Sequence, residues 1–465
     1  RMARFIPLLQ WAPQYERGWL RPDLIAGLTV TALVVPKALG YAGIARVPIE
    51  YGLYAAAAGA ILYALFGTSR QISTGPSSAL AAVAASAVLV AGISSDQDAV
   101  ALVAAITLVT GLLFLLLALF KMGWISQFLS KAVITGFLFG AAIEVVIGEL
   151  PKITGTSIEG SNSWQKLASW LQGLPNTDGT TLLVGVIALV LIFGLRRVAP
   201  RVPGALVLVV VGLVASAVLG LGDRGLALIG DVPSGLPSLA LPNVGFFMEN
   251  LPVIVSAAVG LLLIGFSQSA GDARAFAAKH KYRVDINQES VAQGICNVGS
   301  GLVQGIPVST SLSSSSLNDT SGAKTPVASL TTGALIVLTL LFLAPLFSAL
   351  PKAVLAAIII EAVVMGMMDV PEMRRLHRVA RVDFWIAVAA ILGVLGSGVL
   401  AGVMIGIALS ILWLIYISVT PHMQVLGRQP GTQVFRGVDD HPDYETYPGL
   451  LVLRFDAGLF FASAD

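Results

Sequence analysis

Long uncharged stretches alternate with short polar ones along this chain. A helix that spans a bilayer needs about 20 mostly apolar residues. Six uncharged stretches approach or exceed that length, and the last is long enough for two spans with a turn at Gly393, Gly396 or Gly398. They are residues 71–95, 99–120, 205–222, 250–271, 325–351 and 384–427. Seven weaker candidates bring the predicted number of segments to about fourteen: 24–45, 53–67, 124–148, 181–195, 291–305, 309–320 and 352–368.

The placement of Lys and Arg predicts how a chain with fourteen segments is oriented in the membrane. With both termini on the same side, the loops on that side hold 15 basic residues and the loops on the other side hold 5. Cytoplasmic loops are the ones enriched in Lys and Arg. The sequence therefore predicts that both termini are cytoplasmic, with residues 1–23 as a cytoplasmic N-terminal segment.

Composition supports a membrane protein and excludes several other classes. Of 465 residues, 56% are hydrophobic and only 12% are charged, whereas soluble domains carry about 25% charge. The net charge of +2 gives no reason to expect a nucleic-acid partner. One cysteine, Cys296, allows neither an internal disulfide nor a cysteine-based metal site. No HExxH, P-loop or GxSxG motif is present, so we predict no enzyme, no catalytic residue, no cofactor and no metal.

Fourteen segments divide into two halves of seven, which makes the second half inverted relative to the first. The predicted transport domain is 24–421, with one repeat at about 24–222 and the other at about 250–421. Each half has a Gly/Pro break at its third segment, Gly75-Pro76 in the first and Gly305 to Thr310 in the second. Such matched interruptions indicate half-helices, here in segments 3 and 10, and mark the binding site of a transporter.

The residues at the two breaks favour an anion site. Gly75 and Pro76 predict a turn from extended chain into a helix capped by Ser77 or Ser78. The second break is followed by hydroxyl side chains from Ser309 to Ser316. Two helix N-termini that face each other offer positive potential and free N–H donors to an anion. The alternative is that these small polar residues only pack helices together.

Three ionisable residues lie deep within predicted apolar spans and therefore require an explanation. Lys37 is the one basic residue deep in a span, and we expect it to face the anion. The alternative role is a structural partner of Glu144 or Glu361. These two acids are candidates for a coupling proton, although the sequence favours the alternative that each has a hydroxyl or lysine partner on a helix face shielded from lipid.

Four motifs in order resemble the sulfate permease (SulP) family of anion transporters, whose animal members include prestin and pendrin. They are Leu20 to Val30, Val47 to Tyr54, Ile72 to Pro76, and Gly305 to Thr325. The resemblance covers nearly the whole chain. It implies an all-α polytopic membrane protein with a seven-plus-seven inverted repeat like that of uracil permeases, in which a core domain moves against a gate domain. It also implies a homodimer in a bacterial inner membrane.

The same resemblance implies a set of site residues. The substrate pocket falls on Lys37, Tyr41, Ser77, Ser311, Leu312, Ser313 and Ser314. Many relatives have glutamine in place of Lys37 and arginine in place of Ser314, so the charge has moved across the pocket. Gln268 stands where relatives commonly have a carboxylate, and a neutral amide is a poor cation ligand. We therefore expect no sodium coupling through Gln268.

The C-terminal tail also resembles the family. Pro448 to Asp456 alternates like a strand, and Gly458 to Ala462 predicts a second one. Residues 422–465 are interpreted as a linker and the start of a truncated STAS domain.

The function predicted from these features is secondary active transport of a small anion by alternating access. Sulfate, bicarbonate and dicarboxylates are all compatible with a pocket of helix N-termini and hydroxyls. One alternative is a nucleobase permease of the same fold, which would need carboxylates that Gln268 and the Ser309–Ser316 stretch do not offer. Another alternative is an uncoupled anion channel.

Overall fold

The computed structural model describes residues 7–121, 131–160, 162–200, 202–419 and 423–455, and most of them are helical. The first half contains α1 (Leu20–Ile44), α2 (Glu50–Phe66), strand β1 (Thr74–Pro76), α3 (Ser78–Val90), α4 (Asp96–Leu119), α5 (Lys131–Thr154), α6 (Ser163–Gly173), α7 (Gly179–Val198) and α8 (Gly204–Leu219). The second half contains α9 (Leu251–His280), α10 (Ile286–Leu302), strand β2 (Val308–Thr310), α11 (Leu312–Thr320), α12 (Val327–Leu338), α13 (Lys352–Met367), α14 (Val370–Val379), α15 (Arg381–Ser397) and α16 (Val399–Val419).

The two halves have the same order of elements. In each, the third segment is a strand followed by a short helix, and an additional helix separates the fifth segment from the sixth: α6 in the first half and α14 in the second. Helices α3 and α11 have 13 and 9 residues. At 1.5 Å per residue they reach about 20 Å and 14 Å, well short of a hydrocarbon core of about 30 Å. The predicted half-helices in segments 3 and 10 and the seven-plus-seven fold are therefore confirmed.

Seven of the described helical segments are long and apolar enough to cross a membrane. Several shorter apolar helices accompany them, including α2, α3 and α8. Helices α10 and α11 are more polar because they lie among other helices: Gln293, Asn297 and Ser315 are completely buried there. A hydropathy pattern alone detects such segments weakly.

The helices of residues 7–406 form two bundles. Helices α1, α2, α4, α9, α10 and α12 pack extensively on one another, and so do α5, α7, α13 and α15. Fewer contacts join the bundles, mainly those of α13 with α1 and α3, those of α5 with α3, and those of α8, which packs on α7 and α13, with α1. This arrangement corresponds to the core and gate domains that the resemblance implied, and it leaves space between the bundles for a site.

Asp23 fastens the start of α1 to the second half of the chain. It is completely buried. Its carboxylate accepts hydrogen bonds from the backbone N–H groups of Lys324 and Thr325, at 2.7 and 3.1 Å, and from the Thr325 hydroxyl at 2.6 Å. Backbone N–H groups just before a helix have no partner within the helix and need solvent or a capping side chain. The Asp23 carboxylate, from a distant part of the sequence, is that partner for the residues just before α12. Two motifs that carry the family resemblance are thus in direct contact.

Helix α10 holds both strands in place. The Asn297 side chain donates to the backbone carbonyl of Val308 at 2.9 Å and accepts from the Val308 N–H at 3.0 Å. One turn earlier, Gln293 donates to the Thr74 hydroxyl at 3.1 Å. Positions four apart lie on one helix face, so one face of α10 positions β1 and β2.

Replacing Asn297 by alanine is expected to lower the free energy of unfolding by about 2 kcal/mol, because two buried backbone groups of Val308 lose their partner. The measurement is thermal unfolding in detergent. Asn287→Ala is the control, since that side chain near the start of α10 forms no hydrogen bond among the described residues, and we expect it to change stability by less than about 0.5 kcal/mol. Equal midpoints for the two variants would show that Asn297 does not support β2.

The described residues from 407 to 455 belong to a second compact unit. It contains a three-stranded antiparallel sheet in the order β4–β3–β5, formed by β3 (Met423–Arg428), β4 (Phe435–Gly437) and β5 (Leu453–Phe455). The strand predicted at 448–456 begins only at Leu453, because Gly449 has a φ of 78° and forms a turn before it. The second predicted strand, 458–462, lies outside the described residues. The turn within 384–427 lies at Gly398, whose φ is 89°.

Candidate functional site

The two sequence breaks meet as a pair of antiparallel strands. Thr74 is opposite Thr310, and Pro76 is opposite Val308. Each strand leads directly into a helix: α3 follows the N-cap Ser77, and α11 follows the N-cap Ser311. Because the strands are antiparallel neighbours, the two helices start close together and run apart. Their free N–H groups and positive dipole ends are therefore concentrated in one place.

A cavity of about 550 Å³ lies between the two bundles at these helix starts. Six of the seven predicted pocket residues line it, namely Lys37, Tyr41, Ser77, Ser311, Leu312 and Ser313. The seventh, Ser314, does not line this cavity. Its backbone N–H donates to the Ser311 side chain, as the third residue after an N-cap does, and this turns its own side chain into the protein, where it is 3% exposed.

Lys37 points at the start of α11. Its Nζ donates to the Ser313 hydroxyl at 3.0 Å. One helical turn further along α1, the buried Tyr41 lines the same cavity, as does Ser78 in the first turn of α3. A lysine ammonium and two helix N-termini are all positive, and their mutual repulsion is strongest away from water. An anion between them converts this repulsion into attraction, so the geometry is suited to binding one.

Two charged cavity residues were missed from the sequence, Arg196 and Asp272. The predicted spans 181–195 and 250–271 stopped one residue before Arg196 and Asp272, whereas α7 continues to Val198 and α9 to His280. Arg196 was assigned to a loop, and that assignment is wrong. Extending the predicted span 250–271 by one helical turn would have included Asp272. It lies four residues after Gln268 and therefore on the same helix face.

The missed residues bring charge into the cavity. Arg196 Nη1 is 2.6 Å from Glu361 Oε1, so this predicted coupling candidate has a basic partner. The Thr310 hydroxyl donates to Asp272 at 2.7 Å, and the neighbouring Ser309 hydroxyl donates to Gln268 at 2.8 Å.

This finding corrects an argument made from the sequence. The nucleobase alternative was disfavoured because Gln268 and the serine stretch supply no carboxylate. The cavity holds two, Asp272 and Glu361, so that argument is wrong. Asp272 was overlooked because the end of α9 was placed too early in the sequence, and Glu361 because its helix, α13, was not expected to line the pocket.

Glu144, the other acid considered for the coupling proton, is not in this cavity. It lines a separate cavity of about 300 Å³, and its Oε1 is 3.8 Å from Lys166 Nζ. Burial lowers the pKa of Lys166, and the negative charge of Glu144 opposes that shift. The structural pairing that was considered as the alternative for Glu144 is therefore present, with Lys166 rather than Lys37.

Comparison with known proteins gives consistent sequence matches. The sequence profile of the sulfate permease family matches residues 20–390. A probable sulfate transporter of Mycobacterium tuberculosis is 38% identical over 462 residues, which cover 98% of this chain and 82% of that protein. The chloroplastic sulfate transporter 4.1 of Arabidopsis thaliana is 31% identical over 469 residues, which cover 98% of this chain and 67% of that protein.

Solved structures show the same fold. Murine Solute Carrier 26 family member A9, described as an anion transporter in the inward-facing state, superposes with a TM-score of 0.87 at 22% identity, over 99% of this chain and 79% of that one. The transmembrane domain of the cyanobacterial bicarbonate transporter BicA superposes with a TM-score of 0.74 at 24% identity, over 85% of this chain and 98% of that one.

Proposed function

Because this chain belongs to the sulfate permease family and is a multi-pass membrane transporter of anions, we propose that it carries sulfate by alternating access. Sulfate is favoured over bicarbonate and dicarboxylates because the curated relatives with 30–38% identity are described as sulfate transporters. Family membership also supports a transporter rather than an enzyme.

The observation that carries the site proposal is the placement of Lys37 at the start of α11. Its ammonium group bonds Ser313 in the first turn of that helix, while α3 begins on the other strand of the same pair. We place the anion between Lys37 and the two helix starts. Its oxygens accept hydrogen bonds from the hydroxyls of Ser77, Ser311 and Ser313 and from the backbone N–H groups beside them.

Alternating access is supported by the position of the cavity between two bundles. Lys37, Ser77 and Ser311 belong to one bundle, while Glu361 and Arg196 belong to the other. The anion is held almost entirely by the first bundle. Rocking of that bundle against the second would therefore carry the anion with it and expose it to the opposite face.

We propose Asp272 as the group that couples transport to protons. It lies one helical turn from Gln268, in the cavity wall, with the Thr310 hydroxyl as its one described hydrogen-bond partner. A carboxylate that is negative in the anion's cavity repels the anion, and its protonation removes that repulsion. Proton and anion binding are thereby linked, which is the requirement for symport.

The function is tested by uptake of radiolabelled sulfate into proteoliposomes, with and without an inward proton gradient. We expect saturable uptake that the gradient stimulates and that unlabelled sulfate competes for better than bicarbonate or succinate. Stronger competition by bicarbonate or succinate would show that this anion, and not sulfate, is the preferred substrate. Flux that neither saturates nor shows counterflow would identify an uncoupled channel, and uptake of uracil without sulfate would identify a nucleobase permease.

Replacing Ser313 by alanine is expected to weaken sulfate affinity by about 10-fold, because a hydrogen bond from a hydroxyl to a charged anion contributes about 1.5 kcal/mol at the low end of its range. The measurement is the KM of sulfate uptake. Ser321→Ala, at the far end of the same helix, serves as the control and should keep the wild-type KM. If both variants keep the wild-type KM, Ser313 does not contact the anion.

We also propose the assignments that the sequence suggested for the whole chain. These are a homodimer in a bacterial inner membrane with both termini cytoplasmic, residues 24–421 as the transport domain, and residues 422–465 as a linker and the start of a STAS domain. The asymmetry of basic residues supports the orientation. Light scattering of the detergent-solubilised protein and protease accessibility of terminal tags in cells test the dimer and the orientation.

A further inference from the structure

The second cavity continues the first along the same helices. On each of three helices, a residue that lines the central cavity is followed two to six residues later by one that lines the second cavity. This separation is about 3–9 Å along a helix. The pairs, central cavity first, are Tyr41 and Gly43 on α1, Ala79 and Ala82 on α3, and Leu138 and Glu144 on α5. We call this second space the far cavity, because it lies toward the membrane face at which α1 ends.

The far cavity carries a net positive charge. Its walls contain three cations, Arg46, Lys152 and Lys166, and two carboxylates, Glu144 and Glu149. The central cavity is balanced by comparison, with two cations and two carboxylates in its walls. Five charged side chains around about 300 Å³ are expensive at the edge of a membrane, and such residues commonly mark a transport pathway.

The charges of the far cavity are unequally paired. Lys152 Nζ is 2.7 Å from Glu149 Oε1, three residues earlier on α5, and forms a close ion pair. Lys166 Nζ is 3.8 Å from Glu144 Oε1, a distance too long for a hydrogen bond, although the Lys166 side chain is only 10% exposed. The Arg46 backbone N–H donates to the Gly43 carbonyl, but its guanidinium group forms no hydrogen bond or ion pair with any of the residues that the structure describes. Two cations therefore have unused donor capacity toward the same space.

These two cations belong to different bundles. Arg46 directly follows α1, in the bundle that holds the central anion site, whereas Lys166 is on α6, which packs on α5 in the other bundle. The backbone of Arg46 has a φ of 62°, a conformation that side chains other than glycine adopt rarely and that turns the chain sharply after α1. A rocking motion of the bundles would therefore change the distance between Arg46 and Lys166.

We propose that the far cavity is a second, transient binding site for the transported oxyanion, formed by Arg46 from one bundle and Lys166 from the other. Glu144 is the internal anion that competes with the substrate for Lys166. An oxyanion arriving from the far face binds the two cations first and then moves along α1 and α3 to the central cavity. This inference rests on the proposed function, since it adds an entry site to that transport path.

The test is sulfate uptake by the full-length chain in vesicles whose protein orientation is known from protease cleavage of an N-terminal tag. With the far face outside, Arg46→Gln and Lys166→Gln are each expected to raise the KM about 3- to 10-fold. Glu144→Gln is expected to lower the KM about 3-fold, because the competing carboxylate becomes neutral. With the far face inside, all three variants should keep the wild-type KM for uptake from the near face.

Lys352→Gln is the matched control, because Lys352 is an exposed lysine at the start of α13 on the same face and outside the cavity. If Lys352→Gln changes the KM as much as Lys166→Gln does, the effect is one of general surface charge and the proposal is overturned. Wild-type KM values in the Arg46 and Lys166 variants would also overturn the proposal, while the proposed function would stand. If wild-type protein takes up no sulfate, the proposed function fails instead. Should Lys166→Gln not fold, the opposite shifts of Arg46→Gln and Glu144→Gln still decide the question.

Discussion

Replacing Lys37 by glutamine is expected to weaken sulfate affinity by about 10- to 100-fold. A hydrogen bond that involves a charged group contributes about 1.5–3 kcal/mol, and each 1.4 kcal/mol is a factor of ten in affinity. The Lys37 ammonium group donates to Ser313 at the start of α11, so its loss removes the one cation, among the residues that the structure describes, that is hydrogen-bonded at these helix N-termini. Arg196 cannot replace it, because it is paired with Glu361 on the other bundle.

The affinity of the Lys37 variants is best measured by calorimetric titration of the purified protein with sulfate, together with the KM of uptake. Lys37→Arg retains the charge and should recover most of the affinity. If Lys37 were only a structural partner, Lys37→Gln would lower the midpoint of thermal unfolding and leave the affinity of the folded fraction unchanged. That result would remove Lys37 from the site.

Replacing Asp272 by asparagine is expected to abolish the stimulation of uptake by a proton gradient. Asparagine cannot bind a proton in the accessible pH range, so sulfate accumulation should fall to the level measured without a gradient. It should also become insensitive to pH between about 5 and 8. The wild type is expected to lose affinity as pH rises, because the carboxylate becomes negative beside the anion. The measurement is the initial rate of sulfate uptake against internal pH 7.5 at a series of external pH values.

Two further variants make the Asp272 test specific. Asp98→Asn removes an exposed carboxylate near the start of α4 and should keep the wild-type response to the gradient. Combining Asp272→Asn with Gln268→Glu returns a carboxylate to the same helix face one turn away, and we expect it to restore part of the coupling. Full stimulation of the Asp272→Asn variant by the gradient would contradict a coupling role for Asp272.

The paired breaks were predictable from the sequence because their chemistry is local. Pro76 removes a backbone donor, and Gly75 together with the serines that follow favours a strand-to-helix turn. The register of the strands was not predictable, since Thr74 and Thr310 are brought together by Asn297 and Gln293 on a third element. Such long-range contacts have no signature in hydropathy.

The errors in the site came from helix ends. Hydropathy marks where a helix leaves the apolar phase, whereas α7 and α9 continue past that point into a polar cavity inside the protein. Arg196 and Asp272 lie on these continuations, so their charges were read as the ends of spans. Glu144 was correctly placed within a span, but its position along α5 relative to the other bundle depends on packing, and the sequence could not assign it to the far cavity.

The central claim is that the anion binds between the N-termini of α3 and α11 beside Lys37. Selenate is an oxyanion of nearly the same shape as sulfate, and its selenium scatters anomalously, so diffraction from crystals grown with selenate locates it directly. We expect one strong anomalous peak about 4 Å from Lys37 Nζ, between Ser77 and Ser311, which competing sulfate removes and which is absent in Lys37→Gln. A sulfate-competed peak elsewhere in the protein, with none between these two helix starts, would contradict the account.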